Sequence, residues 1–298
     1  MPIGSAAVYE NISLPSSNYF TEKEYPFLSE TAPLRNLQIN GAWPAHCTPQ
    51  GTTDGQLRVP DNYFIEQGSA SYMPNNAAGG LRSDGNTIKE FVFASRCVGN
   101  GPIYGGVGLC THSIYGSGVG AYCAHGGSGL SAVGGSLRLH EIPNTLGAIP
   151  HALKLTLPST SLANCNGGYR WPAVTADSGY NNPSSWQYYN GSNCNFRMGS
   201  LVALLPTYTC PTATTLAGRV CQALKDYGAY VVDVHPSNGT GWNPLTINGE
   251  IGTQSSLDAI GSQLVPMITS LKVIANNASN NIGGGGTPRV PLAPPIGN

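Results

Sequence analysis

AHGGSGLSAVGGSLRLHEIPNTLGAIPHALKLTL, residues 124–157, is the most patterned stretch of the chain. His125 sits in a glycine and serine run, Gly126-Gly127-Ser128-Gly129, and a second run, Gly134-Gly135-Ser136, leads into Leu137 and Leu139 alternating with Arg138 and His140. After a turn-like Pro143 to Gly147, His151, Leu153, Leu155 and Leu157 alternate with Ala152, Lys154 and Thr156. Period-two alternation marks a half-buried strand, so the two runs predict neighbouring antiparallel strands. With the leucines inward, Arg138, His140, Lys154 and Thr156 share a polar face that either lines a cleft or is simply solvated. Glu141 and His151 fall on the leucine side by parity, but at strand ends, where a rim position avoids the cost of burying a charge.

Outward from this hairpin, residues 1–54 carry scattered prolines and one clear alternation, Leu34 to Ile39, and read as an extended proline-rich arm. Asp84-Gly85 is a tight-turn signal opening onto Thr87 to Phe93, which predicts a second hairpin. The glycine-rich run from Gly99 to Gly120 reads as a long loop. Residues 165–194 read as a stapled loop presenting Arg170, Trp171 and Asp177. Met198 to Leu205 is apolar on both faces, the pattern of a strand buried on two sides. Leu216, Val220 and Leu224 recur at helical spacing behind a capping Thr215 and ahead of Gly228, which predicts a helix over 215–227. Ala229 to Val234 reads as a strand, and a second helical patch from Leu257 to Ile274 is interrupted at Pro266. Residues 276–298 form a Gly/Pro-rich tail. Strands do not alternate with helices, so residues 55–275 are expected to form a single β-rich domain, a jelly-roll-like β-sandwich with loop insertions and one or two short helices.

Charged residues make up 10% of the 298, and the net charge is -1, against about 25% charged in a typical soluble protein. Nucleic acid and acidic membranes are therefore not expected partners, since phosphate binding needs clustered Lys and Arg. No apolar run approaches the roughly 20 residues of a membrane-spanning helix. The eight cysteines include no CxxC pair and no zinc-site spacing, so disulfides are expected, with Cys165 paired to Cys194 and Cys210 to Cys221. Disulfides in number point to an oxidising, extracellular compartment, and sequons at Asn11, Asn190, Asn238 and Asn277 are compatible with secretion. The first residues show no basic-then-apolar leader, so a secreted form implies one already removed.

Among the chemistries weighed, glycoside hydrolysis needs two carboxylates flanking the bond, and the candidates are Glu141, Asp177, Asp233 and Glu250. Trp242 and Trp171 would stack on sugar rings, with His125, Arg138, His151, Lys154 and Arg170 as polar contacts. A polysaccharide lyase would need a His or Tyr as base and a neutraliser for the uronate carboxylate, a set that His125, His151, Arg138, Lys154 and the many tyrosines could supply. A serine hydrolase is excluded at Ser128, because Leu130 stands where the nucleophile elbow requires glycine. No phosphate-loop ending follows the glycines, and no cofactor or metal is called for. A non-catalytic alternative also fits the low charge: a glycan-binding protein, or a fibre or surface-layer subunit associating through extended termini. The preferred expectation is a secreted carbohydrate-active protein acting on a polysaccharide or other glycan, with His125, His151, Asp177 and Trp171 around one cleft.

Several motifs occur together between about residues 75 and 250: Asn75-Asn76-Ala77-Ala78 with Ser83-Asp84-Gly85, Arg96-Cys97, AHGGSGLSAVGG, His151-Ala152-Leu153-Lys154, Arg170-Trp171-Pro172-Ala173 with Ala176-Asp177, Met198-Gly199, and QALKDYGAYVVD at 222–233. In these the chain resembles a largely uncharacterised family of secreted, mostly bacterial proteins. The resemblance implies secretion and brings no activity with it. It departs at His140, where the family pattern has glycine, so it implies no role for that residue.

Overall fold

A computed structural model describes residues 1–14, 18–40, 47–49, 51–66, 75–106, 109–116, 122–144, 147–236 and 244–292. In chain order the strands are β1 (Tyr9–Asn11), β2 (Asn18–Phe27), β3 (Leu34–Ile39), β4 (Thr52–Arg58), β5 (Ala77–Leu81), β6 (Thr87–Phe91), β7 (Ile103–Gly105), β8 (Cys110–Ser113), β9 (Leu153–Pro158), β10 (Leu201–Ala203), β11 (Ala229–His235), β12 (Pro244–Glu250) and β13 (Lys272–Ile274). The helices are α1 (Leu216–Asp226), α2 (Gln254–Ala259) and α3 (Gly261–Thr269). The protein is thus mainly β and sandwich-like, as expected.

Ten strands form one mixed sheet in the order β1-β13-β10-β11-β9-β12-β2-β5-β6-β8, and β4-β3-β7 form a second. Alternation along β2 explains how the two layers meet. Tyr25 and Phe27 lie on one face, where they pack with Ala78 and Phe91 of the large sheet against Leu37, Leu57 and Ile103 of the small one. On that same face, Leu153, Leu155, Leu245 and Ile247 pack with Leu216, Val220 and Leu224 of α1 and Leu264 and Ile268 of α3. One face of the large sheet is therefore apolar and covered by helices and the small sheet. The even-numbered residues of β2 point the other way, and registers carry that parity across the sheet: Glu22 stands beside Asn248, Glu24 beside Glu250, and Thr156 beside both Thr246 and Asp233. The glycine-rich segment 124–135 covers this second, polar face, with Val133 packed on Leu81 and Ile88.

Elements specified by local chemistry form where expected. Asp84 Oδ1 accepts the backbone N–H groups of Asn86 and Thr87 at 2.9 and 2.8 Å, closing the β5–β6 hairpin at Gly85, whose φ is +71°. Thr215 caps α1 by accepting the Gly218 N–H at 3.1 Å, and Gly228, at φ +74°, ends it.

The hairpin expected over 137–157 does not form. Leu137 makes a single parallel bridge to Gly249, and Leu139–Glu141 winds into a 3-10 turn. The Glu141 carboxylate accepts the Arg138 N–H at 2.7 Å and that of Glu250 accepts the Leu139 N–H at 2.9 Å, which removes both donors from any ladder. β9 pairs instead with β11 in parallel and β12 antiparallel. Residues 1–54 are not an arm: they supply β1 to β3 and part of β4, and β2 lies between β12 and β5 inside the large sheet. Pro26 is accommodated there in a parallel pairing with Gly79. The glycine-rich run after Gly99 contains β7 and β8, and the break in the second helical patch falls at Ile260, with Pro266 inside α3. The tail is packed down, Gly4 bridging Pro288 and the Arg289 N–H meeting the Ile3 carbonyl.

Four disulfides join Cys47–Cys97, Cys110–Cys123, Cys165–Cys194 and Cys210–Cys221, including both pairs expected from spacing. Among the described residues no helix is long and apolar enough to cross a membrane.

The close packing of neighbouring strands β2 and β5 is testable at Gly80, the register partner of Phe27. A Cβ there would stand 2.0 Å from the Phe27 ring. Gly80→Ala is expected to lower stability by about 1–3 kcal/mol through overpacking, read as a reduced midpoint in chemical denaturation.

Candidate functional site

The polar face of the large sheet is buried under segment 124–135, so its charges are satisfied by one another. Lys154 of β9 is sealed from solvent. Its Nζ donates to the carbonyls of Ser131 and Ala132 in the covering segment, at 3.1 and 2.9 Å, and lies 3.3 Å from Glu24 Oε1. The same oxygen of Glu24 accepts Asn248 Nδ2 at 2.8 Å and meets His125 Nε2 at 3.0 Å. His125 turns its other nitrogen, Nδ1, toward Asp233 Oδ2 at 3.8 Å. The arrangement is a chain of groups, Lys154 and Asn248 to Glu24 to His125 to Asp233.

Electrostatics follow from this packing. Burial opposes charge on His125, but Glu24 and Asp233 outweigh both burial and the neighbouring Lys154, pushing its pKa up to about 9. Burial would raise Glu24, yet Lys154 and His125 together hold it below the usual carboxylate range. Burial lowers Lys154, and Glu24 and Glu90 offset part of that.

Glu22, one residue pair along β2, stands at the accessible edge. Its side chain keeps 31% of its surface in solvent and its Oε2 lies 3.8 Å from His235 Nε2. Burial of the remainder, then the charges of Glu24 and Asp233, push its pKa up to about 7 despite His125 and Lys154. Asp233 keeps 22% of its side-chain surface accessible. Asp177 approaches from the disulfide-closed loop 165–194, donated to by Tyr189 Oη at 2.5 Å and Gln187 Nε2 at 2.9 Å. Burial and the nearby Asp233 raise its pKa to about 7. Gly127 makes room for it, since a Cβ there would meet Asp177 Oδ2 at 2.7 Å. His235, buried beside Phe20, is lowered to about 4 by burial, which Asp233 only partly offsets.

Of the residues singled out from sequence, Asp177, Asp233, His125 and Lys154 therefore converge. Lys154 and Thr156 are not solvated, because β9 is buried on both faces. Glu141 and Glu250 form a separate group with Arg138 and His151: Glu141 Oε1 meets His151 Nε2 at 2.9 Å, and Arg138 donates to the Val133 carbonyl while feeling the charges of Glu250, Glu141 and Glu24. Both carboxylates there serve local backbone N–H groups. His151 accordingly stands with Glu141 and not with His125. Arg170 spends its guanidinium on the carbonyls of Asn195, Ala275 and Asn277, a structural role. Trp171 is half-buried in the loop that carries Asp177. Trp242 lies outside the described residues. Glu22 and Glu24 are additions. Their signal was the alternation of Tyr19, Thr21, Lys23 and Tyr25 with Phe20, Glu22 and Glu24, masked by the prolines around it.

No protein-family model, no curated protein and no solved structure matches the chain.

His125 is thus a buried, charge-paired histidine. His125→Ala is expected to cost on the order of 1–3 kcal/mol, since it removes a bond to a buried carboxylate. Because its folded pKa lies above its unfolded one, the contribution is complete below pH 6.5 and lost as pH rises through about 9. Thermal melts across pH 6 to 10 are expected to fall over that window in the native chain, with the fall from this group abolished in the variant.

Proposed function

We propose that the protein is a secreted glycoside hydrolase in which Glu22 is the proton donor and Asp233 the second carboxyl group of the pair. The observation that carries this reading is that Asp233 acts electrostatically on both Glu22 and Asp177, each of which burial and that charge push up to about 7. Glycoside cleavage needs one carboxyl kept protonated to protonate the leaving oxygen and another kept charged as base or nucleophile. Glu22 suits the acid because it is both raised and accessible. Asp177 is buried with each oxygen accepting a bond, and the charge of Asp233 is one of the causes that raise it. His125, anchored by Glu24, turns its Nδ1 toward Asp233 at 3.8 Å and so fixes the setting of that carboxyl group. Loop 165–194 supplies aromatic surface for a sugar at Trp171 and at the exposed Trp186.

Four disulfides support the extracellular setting. A lyase reading is weaker at the two histidines offered for it, because His125 is buried and held charged and His151 is bonded to Glu141 in the separate group. A fibre subunit joined through extended termini is weaker too, since residues 3–6 bond to residues 283–289 of their own chain.

Release of reducing sugar from a panel of neutral and acidic polysaccharides tests the proposal. Glu22→Gln and Asp233→Asn are each expected to lower turnover at least about 100-fold, while Glu141→Gln keeps most of it. Sugar release by Glu22→Gln at the native rate would overturn the assignment.

The pH profile carries its own sign. Glu22 must hold its proton to act as acid, so turnover is expected to fall as pH rises through about 7. A rate that climbs across that range contradicts the role.

A further inference from the structure

Beside the carboxylate rim, beneath the same glycine-rich segment, lies a second group of reactive side chains. Register places Cys110 of β8 opposite Glu90 of β6, and His112, two residues on, points to the same face. Cys123 approaches from the residues just before His125 and closes a disulfide to Cys110. One ligand atom from each of Glu90, Cys110, His112 and Cys123 can be chosen so that all lie within 4.8 Å of one another. Glu90 and Cys110 are buried, as is Cys123, and His112 is half-buried with Nε2 at 2.6 Å from Glu90 Oε1.

We propose that these four side chains are a zinc site with two thiolates, one imidazole and one carboxylate as ligands, open in the dithiol form of the chain and shut when Cys110 and Cys123 pair. Two sulfurs, an imidazole nitrogen and a carboxylate oxygen make a donor set that Zn²⁺ takes in tetrahedral geometry, with donors roughly 3.3 to 3.8 Å apart. The group is already gathered to about that scale, and the main change required is separation of the two bonded sulfurs. The chemistry balances with a thiol or phosphine reductant. Two electrons and two protons convert the disulfide to two thiols while the reductant is oxidised; Zn²⁺ then displaces both thiol protons to water. A small-molecule disulfide reverses the sequence: it takes the two electrons from the thiolates and two protons from water to become two thiols, the Cys110–Cys123 bond re-forms and the metal is released.

The site is wired to the candidate active site through Glu90. Its Oε1 accepts the Ser131 hydroxyl at 2.5 Å and its Oε2 accepts the Ala132 N–H at 2.6 Å, and the carbonyls of those two residues hold Lys154. A metal drawing on Glu90 competes for the carboxylate that fixes the covering segment. In a reducing compartment, before the disulfide forms, the metal holds β6, β8 and residue 123 together in place of the covalent link. This inference is independent of the hydrolase reading.

Anaerobic titration of the phosphine-reduced protein with Co²⁺ tests it. One equivalent is expected to bind tightly, with thiolate-to-metal charge-transfer absorption and the visible bands of a tetrahedral centre, displaced by one equivalent of Zn²⁺. His112→Ala and Cys110→Ser are each expected to weaken binding at least 10-fold, whereas Cys210→Ser leaves it intact. Because reduction opens the other bridges too, Cys123→Ser offers the same test without reductant: it frees Cys110, His112 and Glu90, and is expected to bind Co²⁺ with one thiolate. Absence of a thiolate band in both preparations overturns the site, as does a band undiminished by His112→Ala.

Discussion

A buried ammonium governs this fold. Lys154 sits in the middle of a strand enclosed on both faces, where an unpaired charge would cost several kcal/mol even after relaxation. It is tolerated because Glu24 and two backbone carbonyls surround it. Each partner comes from a different part of the chain, so satisfying one lysine fixes β9 relative to β2 and the glycine-rich segment above both. The same geometry places Asp233 and Glu22 at the border of the cluster. There the field of the buried charges still acts while water still reaches.

The sheet works because its two faces follow different rules. One buries aromatic and aliphatic side chains against helices and a small sheet, and its stabilisation scales with apolar area removed from water. The other buries charges that must be paired, and that demands backbone close above it. Gly135, at φ +82°, gives that approach directly, since a Cβ there would stand 2.9 Å from Cγ of Lys154. Gly79 acts likewise beneath Val133. Of the glycines that fit neither a phosphate loop nor a nucleophile elbow, Gly127 and Gly129 are explained in the same way, since a Cβ would stand 2.7 Å from Asp177 Oδ2 and 2.6 Å from Val174 respectively.

What could be read in advance divides along range of interaction. The α1 helix, the Asp84-Gly85 hairpin and the apolar β10 were legible because capping, turn chemistry and periodicity act over a few residues. Asp177, Asp233, His125 and Lys154 were legible as residue types in conspicuous settings, though Lys154 was expected on a face lining a cleft or solvated and His125 in the lining of a cleft, and both are buried. The pairing of β2 with β12 was not legible, since nothing local in NYFTEKEYPF announces a partner more than 200 residues away, and the surrounding prolines argued for an arm. Glu22 and Glu24 were lost with it. Glu141 and Glu250 failed for a different reason: a carboxylate that accepts a nearby N–H looks identical, in sequence, to one that meets a substrate.

The bond between Asn248 and Glu24 spans 224 positions. A chain emerging residue by residue exposes β2 long before β12 exists, so Glu24 stays hydrated until almost all of the sheet has been synthesised. Loop-closure entropy must then be met in one late step, and topologies dominated by such distant pairings fold slowly. The β2–β12 pairing therefore has to wait until residue 250 has been made, whereas the contacts of the β5–β6 hairpin and of α1 lie within short stretches of chain.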